Sequence, residues 1–156
     1  MHRKSVREIM EPAVISIHPE ELVVDAAQLM EELDIRRLPV VDEDDCIVGI
    51  VTDTDILEAE TAGSVLGAYS PDASQEWLTV ADIMTRELIT ASPDTTVGQL
   101  VHLFMEHKIG GVPVVEQDPR FPKREHLIGI VTEMDVFKMI AKAWEELEAA
   151  AGISVE

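Results

Sequence analysis

Cysteine is almost absent from this 156-residue chain: Cys46 is the only one, so neither an intrachain disulfide nor a thiolate cage for zinc can be assembled from it. That is the usage of a reducing compartment, and a cytoplasmic setting is expected. Aromatic residues make up only 4%. Basic residues are scarce as well, 12 against 31 acidic ones, for a formal net charge of −19. Such a field repels phosphate backbones and speaks against nucleic acid as a partner. No apolar run approaches the ~18 residues of a membrane span. The opening Met1-His2-Arg3-Lys4 leads into Ser5-Val6-Arg7-Glu8, not into the apolar core of a signal peptide. At 46% hydrophobic content the chain can nevertheless bury a good core.

What the chain does have is itself, twice. Val6, Ile9, Met10, Ile15, Pro19, Val23, Leu29, Ile35, Pro39, Val40 and Val41 recur 74 positions later as Val80, Ile83, Met84, Ile89, Pro93, Val97, Leu103, Ile109, Pro113, Val114 and Val115. The offset then widens to 80, since Gly49-Ile50-Val51-Thr52 with Asp55 answers to Gly129-Ile130-Val131-Thr132 with Asp135. Two copies are too few for a solenoid. Each half is expected to bury its apolar face against the other, leaving a cleft suited to a ligand.

Along the first copy, Ala13 to Ile17 reads as a short strand. Pro19-Glu20-Glu21 then opens a helix with Leu22, Ala26, Leu29, Met30 and Leu33 at helical spacing. Leu38 to Val41 and Cys46 to Val51 have strand length, and the acidic Asp42 to Asp45 between them reads as a hairpin turn. Thr52 begins a second helix. The second copy repeats this β-α-β-β-α order, and its last helix carries Val136, Ile140, Ala143, Trp144 and Leu147 on one stripe. Residues 61–74, rich in Gly, Ser, Ala and Pro, read as a linker, with Trp77 and Leu78 pinning its end to the core. The expected organisation is repeat 1 over 1–60, a linker over 61–78, and repeat 2 over 79–145 with its helix running to about 150. Arg120, Lys123, Arg124 and His126 fall in the six-residue excess of the second copy; that loop reads as a solvated one balancing nearby acids, or as a protein contact.

The order, the length and the paired phrases Leu38-Pro39-Val40-Val41 and Gly49-Ile50-Val51-Thr52 with Asp55 resemble the tandem CBS domain, named after cystathionine β-synthase. The resemblance covers about Val6 to Ile140. It implies an α/β module of two CBS repeats packed with pseudo-twofold symmetry, and an adenosine-type ligand (AMP, ADP, ATP, NAD-type or S-adenosylmethionine) in the cleft between them. No cofactor is required; the nucleotide is a regulatory ligand. The function implied is a sensor that modulates a protein partner, and not an enzyme. A ligand-free scaffold for dimerisation or docking is the alternative. Pairing into a homodimer is the habit of the family.

Thr52 with Asp55, and Thr132 with Asp135, read from the residues alone as capping boxes. The same position offers helix N–H groups to phosphate and a carboxylate to ribose hydroxyls, the use the resemblance implies. Arg36 and Arg37 stand where such modules face the nucleotide phosphates, and an arginine fork suits phosphate. Gly110 and Gly111 replace them in the second copy. Met10, Ile15, Met84 and Ile89 match positions lining the adenine pocket, though as residues they read simply as core. By similarity, Met10, Ile15, Arg36 and Arg37 would group with Thr132 and Asp135, and Met84, Ile89, Gly110 and Gly111 with Thr52 and Asp55. Phosphatase chemistry at Asp53-Thr54-Asp55 is disfavoured because the repeat has Glu133 for the first Asp. No metal site is expected, since His18, His102, His107 and His126 form no close pair at ligand spacing.

Overall fold

The computed structural model describes residues 1–12, 15–69 and 77–152, with the side chains of 62–69 excepted. The elements run α1 (Val6–Ile9), α2 (Val23–Leu33), β1 (Arg37–Val41), β2 (Ile47–Thr52), α3 (Asp53–Tyr69), α4 (Val80–Ile83), α5 (Val97–His107), β3 (Gly111–Gln117), β4 (Glu125–Thr132) and α6 (Glu133–Ala150). The fold is α/β, with β1 paired to β2 and β3 to β4 in two-stranded sheets. No helix among the described residues is long and apolar enough to cross a membrane.

The chain forms two compact units, one of residues 1–14, 89–116 and 128–156, the other of 15–88 and 117–127. Their cores use matching positions. The first unit buries Ala91, Val97, Leu100, Phe104, Val112, Val114, Val131 and Val136; the second buries Ile17, Val23, Ala26, Met30, Leu38, Val40, Val51 and Ile56. Size is exchanged between them: Ile17 with Ala26 becomes Ala91 with Leu100, a swap that nearly conserves apolar volume. The opening segments are exchanged too. Val6 lies in the core with the second copy, and Val80 in the core with the first. Backbone bonds fix both, from Val6 N–H to the Thr95 carbonyl and from Val80 N–H to the Glu21 carbonyl, each 2.7 Å.

Local chemistry sets the element ends. Helix α2 starts at Val23, four residues after Pro19, because Leu22 is extended in a bridge with Thr79 and Val23 N–H donates to the Leu78 carbonyl at 2.9 Å. At the tip of the first hairpin, Asp42 Oδ1 accepts from the N–H groups of Asp44 and Cys46, making the expected acidic turn. Thr96 caps α5, its hydroxyl accepting from Gln99 N–H at 3.2 Å while Gln99 Oε1 accepts from Thr96 N–H at 3.0 Å. Thr96→Ala is expected to cost about 1 kcal/mol. That corresponds to a melting midpoint lower by roughly 2–4 °C in a calorimetric scan, with an unchanged midpoint showing that packing alone holds α5.

Three expectations are corrected. Where composition reads as a linker from residue 61, α3 continues as helix to Tyr69, and 70–76 lie outside the described residues. Trp77 does not pin the chain; it is 78% exposed, while Leu78 beside it packs on the second unit's core. Of the stripe on α6, Val136 is buried along with Met139, whereas Ile140, Trp144 and Leu147 are exposed. Of the expected first strand, Ile17 makes a parallel bridge to Val40, and Ala13 and Val14 lie outside the described residues.

Candidate functional site

In both copies a strand ends on threonine and a helix begins at the next residue. Thr52 N–H donates to Asp55 Oδ2 at 2.9 Å, and Asp55 N–H to Thr52 Oγ1 at 3.2 Å. In the second copy Thr132 N–H and Oγ1 donate to Asp135 Oδ2 at 2.8 and 3.3 Å. These are the capping boxes the spacing implies. Each box occupies one carboxylate oxygen. Among the described residues Oδ1 of Asp55 and of Asp135 accepts no hydrogen bond, so each half-buried acid keeps an oxygen for a ligand hydroxyl beside the positive end of a long helix.

The residues before each hairpin meet the helix start of their own copy. Arg37 is the strand partner of Thr52, and the Arg36 carbonyl accepts from Asp53 N–H at 2.9 Å. Gly110 accepts from Glu133 N–H at the same distance. A Cβ on Gly110 would stand 3.2 Å from the Glu133 carboxyl carbon, so the second copy trades a long cation and short acid for no side chain and a longer acid. Within the units, Arg36 and Arg37 sit with Thr52 and Asp55 in one, and Gly110 and Gly111 with Thr132 and Asp135 in the other.

Met84 is buried on Gly49, where an added Cβ would lie 2.6 Å from its sulfur; Met10 covers Gly129 in the same way at 2.7 Å. A Cβ at either strand position would force the methionine side chain to shift. Ile89 packs on the first unit's core, whereas Ile15 is 43% exposed. Asp135 also lines a cavity of about 230 Å³ with Lys4, Lys138 and Lys142. Those lysines are too dispersed in sequence to be read as a group, and Glu8 and Glu146 in the same wall, with Asp135, offset their charge.

A second cluster was not legible in the sequence. Cys46 and Asp118, both 1% exposed, meet within the second unit, with Cys46 Sγ 3.3 Å from Asp118 Oδ2. His126 pairs with Cys46 across an antiparallel bridge and places Nδ1 3.9 Å from the same oxygen. Arg120 clamps Asp118 through its own N–H at 2.8 Å, Nε at 3.3 Å and Nη2 at 3.1 Å. These bonds hold the Asp118 carboxyl well below the usual carboxylate range, while burial, then Asp118 itself, pushes the Cys46 thiol up. Arg124 pairs with Asp42 and Asp44, and both arginines lie over Phe121. The basic loop thus balances acids of the first hairpin. Separations of 72 and 80 residues hide the cluster from any local spacing rule.

A family model of the CBS domain matches residues 6–62 and 80–142. An uncharacterized protein of Methanocaldococcus jannaschii is 35% identical over 163 residues, spanning 100% of this chain and 35% of that protein. The solved structure of CBSX2 in complex with AMP is similar with a TM-score of 0.74 and 27% identity, over 89% of this chain and 97% of that one. The CBS domain pair of protein MJ0100, in complex with 5′-methylthioadenosine and S-adenosyl-L-methionine, gives a TM-score of 0.70 and 29% identity over the same shares. The chain spans 35% and 21% of the length of the first two curated relatives it matches.

Proposed function

The chain belongs to the CBS domain family, and from that membership we propose a regulatory module that binds an adenosine-type ligand at the starts of α3 and α6 and passes the ligand state to a protein partner. The observation that carries the reading is the pair of capping boxes, each with a carboxylate oxygen left over beside a helix N-terminus. A ribose diol donates to such an oxygen, and a phosphate accepts from the adjoining N–H groups. The similar structures hold AMP in one case and S-adenosyl-L-methionine with 5′-methylthioadenosine in the other, which supports an adenosine framework as the shared element. The module senses and does not catalyse, and it works in the cytoplasm, where Cys46 stays reduced.

Thermal shift against AMP, ADP, ATP, NAD and S-adenosylmethionine tests this. A ligand at a hundred times its Kd stabilises by about 2.7 kcal/mol. The midpoint then rises by roughly 5–10 °C, saturably. If no member of the panel moves it, the ligand-binding reading falls.

The exposed face of α6 favours a second feature. Phe137, Ile140, Trp144 and Leu147 are exposed, and a groove of about 380 Å³ runs along the helix between Phe137, Ile140 and Trp144. A second copy of the chain, paired through its helices, is the occupant we propose for this face, in keeping with family membership. Sedimentation equilibrium should then give twice 17.3 kDa at micromolar concentration. Ile140→Ala should raise the dissociation constant roughly tenfold. A monomer at all concentrations contradicts the pairing.

A further inference from the structure

Cys46, Asp118 and His126 present one sulfur, one oxygen and one nitrogen within 4.8 Å of one another. Zinc bonds of about 2.0–2.3 Å place tetrahedral donors roughly 3.3–3.8 Å apart. The observed 3.3 Å from Cys46 Sγ to Asp118 Oδ2 falls in that range, and the 3.9 Å from that oxygen to His126 Nδ1 lies just beyond it. We infer that these three side chains form a zinc site with three protein ligands and a fourth position open to water.

The scaffold holding the donors is stiff. Cys46 and His126 are cross-strand partners, Leu127 N–H donates to the Asp45 carbonyl at 3.1 Å, and Asp118 N–H donates to the Arg124 carbonyl at 3.0 Å. Two buried ligands and one partly exposed leave a single side open, where His126 and the 59%-exposed Arg120 side chain face solvent. Arg120 keeps the carboxylate anionic without closing the site. Its backbone N–H and Nε hold Oδ1, so only the Nη2 contact to Oδ2 must yield to the metal. Binding breaks the Cys46 S–H bond, sends the proton to solvent, and forms the Zn–S bond with the sulfur's electron pair. Thiolate and carboxylate together neutralise the dication, and neutral His126 supplies a ring-nitrogen lone pair. A body carrying −19 draws divalent cations toward it.

The test uses the whole chain after chelation, titrated with Co²⁺ and separately with Zn²⁺. One Co²⁺ per chain should produce a thiolate-to-metal charge-transfer band with the intense visible bands of a tetrahedral ion. Cys46→Ser should abolish the charge-transfer band. Calorimetry with Zn²⁺ should show one equivalent bound, with Cys46→Ser and His126→Ala each weakening it by about a hundredfold or more, since even outer-shell changes cost 10–100-fold. Circular dichroism of the metal-free variants should match the parent. Absence of the band, half an equivalent of metal per chain, or zinc affinity unchanged in both variants overturns the assignment.

Discussion

Alanine at both Arg36 and Arg37 is expected to weaken AMP binding on the order of a hundredfold and adenosine binding by less than about threefold. Each hydrogen bond to a charged group contributes about 1.5–3 kcal/mol. Exposure of Arg36 reduces its share, so two such contacts add up to roughly a factor of a hundred. Adenosine has no phosphate for a guanidinium to grip. The two copies differ at just this point, Arg36 and Arg37 standing against Gly110 and Gly111. The sites are therefore expected to be unequal, with phosphate-bearing ligands favouring the unit in which Arg37 faces Thr52. The field of −19 charges also ranks the ligands: each added phosphate meets more repulsion, so AMP or ADP is expected to bind ahead of metal-free ATP. Calorimetry at one fixed salt concentration measures all of this. Equal losses for AMP and adenosine would assign the arginines to the fold alone.

The duplication made the architecture legible because each repeated apolar residue has the same burden in both copies. Val40 and Val114 are both fully buried, as are Val51 and Val131, so a pattern read from spacing alone located the two cores. The turn chemistry of Asp42 to Asp45 and the boxes at Thr52 and Thr132 were legible for a similar reason, being hydrogen bonds between near neighbours. What spacing could not give was the partner of each segment. Val6 and Val80 are equivalent by sequence, and nothing local says that each packs with the other copy; only the long-range bonds to Thr95 and Glu21 decide it.

Composition misled at two places. Gly, Ser and Ala after residue 61 suggest a linker, yet alanine is the best helix former and α3 runs on to Tyr69. Trp77 looked like an anchor because large aromatics bury well, and it lies in solvent. Cys46 had no visible partner, since Asp118 follows β3 and His126 lies on β4, both far along the chain.

Replacing Asp55 or Asp135 is expected to cost one site ten- to a hundredfold in affinity for an adenine nucleotide, the loss of one charge-assisted hydrogen bond to ribose. Alanine alone would confuse two effects, because removing the capping acid also costs about 0.5–2 kcal/mol of stability. Asparagine separates them. Its amide oxygen can still accept from Thr52 or Thr132 N–H, as Oδ2 now does, whereas its NH₂ group cannot accept from a ribose hydroxyl in place of Oδ1. Asp55→Asn and Asp135→Asn should therefore keep a near-parental melting midpoint while losing affinity almost as fully as the alanine variants. The stoichiometry should discriminate as well: each single substitution leaves one of two sites intact, and the double variant leaves neither. Retention of parental affinity in Asp55→Asn and Asp135→Asn, with midpoints lowered only by alanine, would reduce both acids to helix caps.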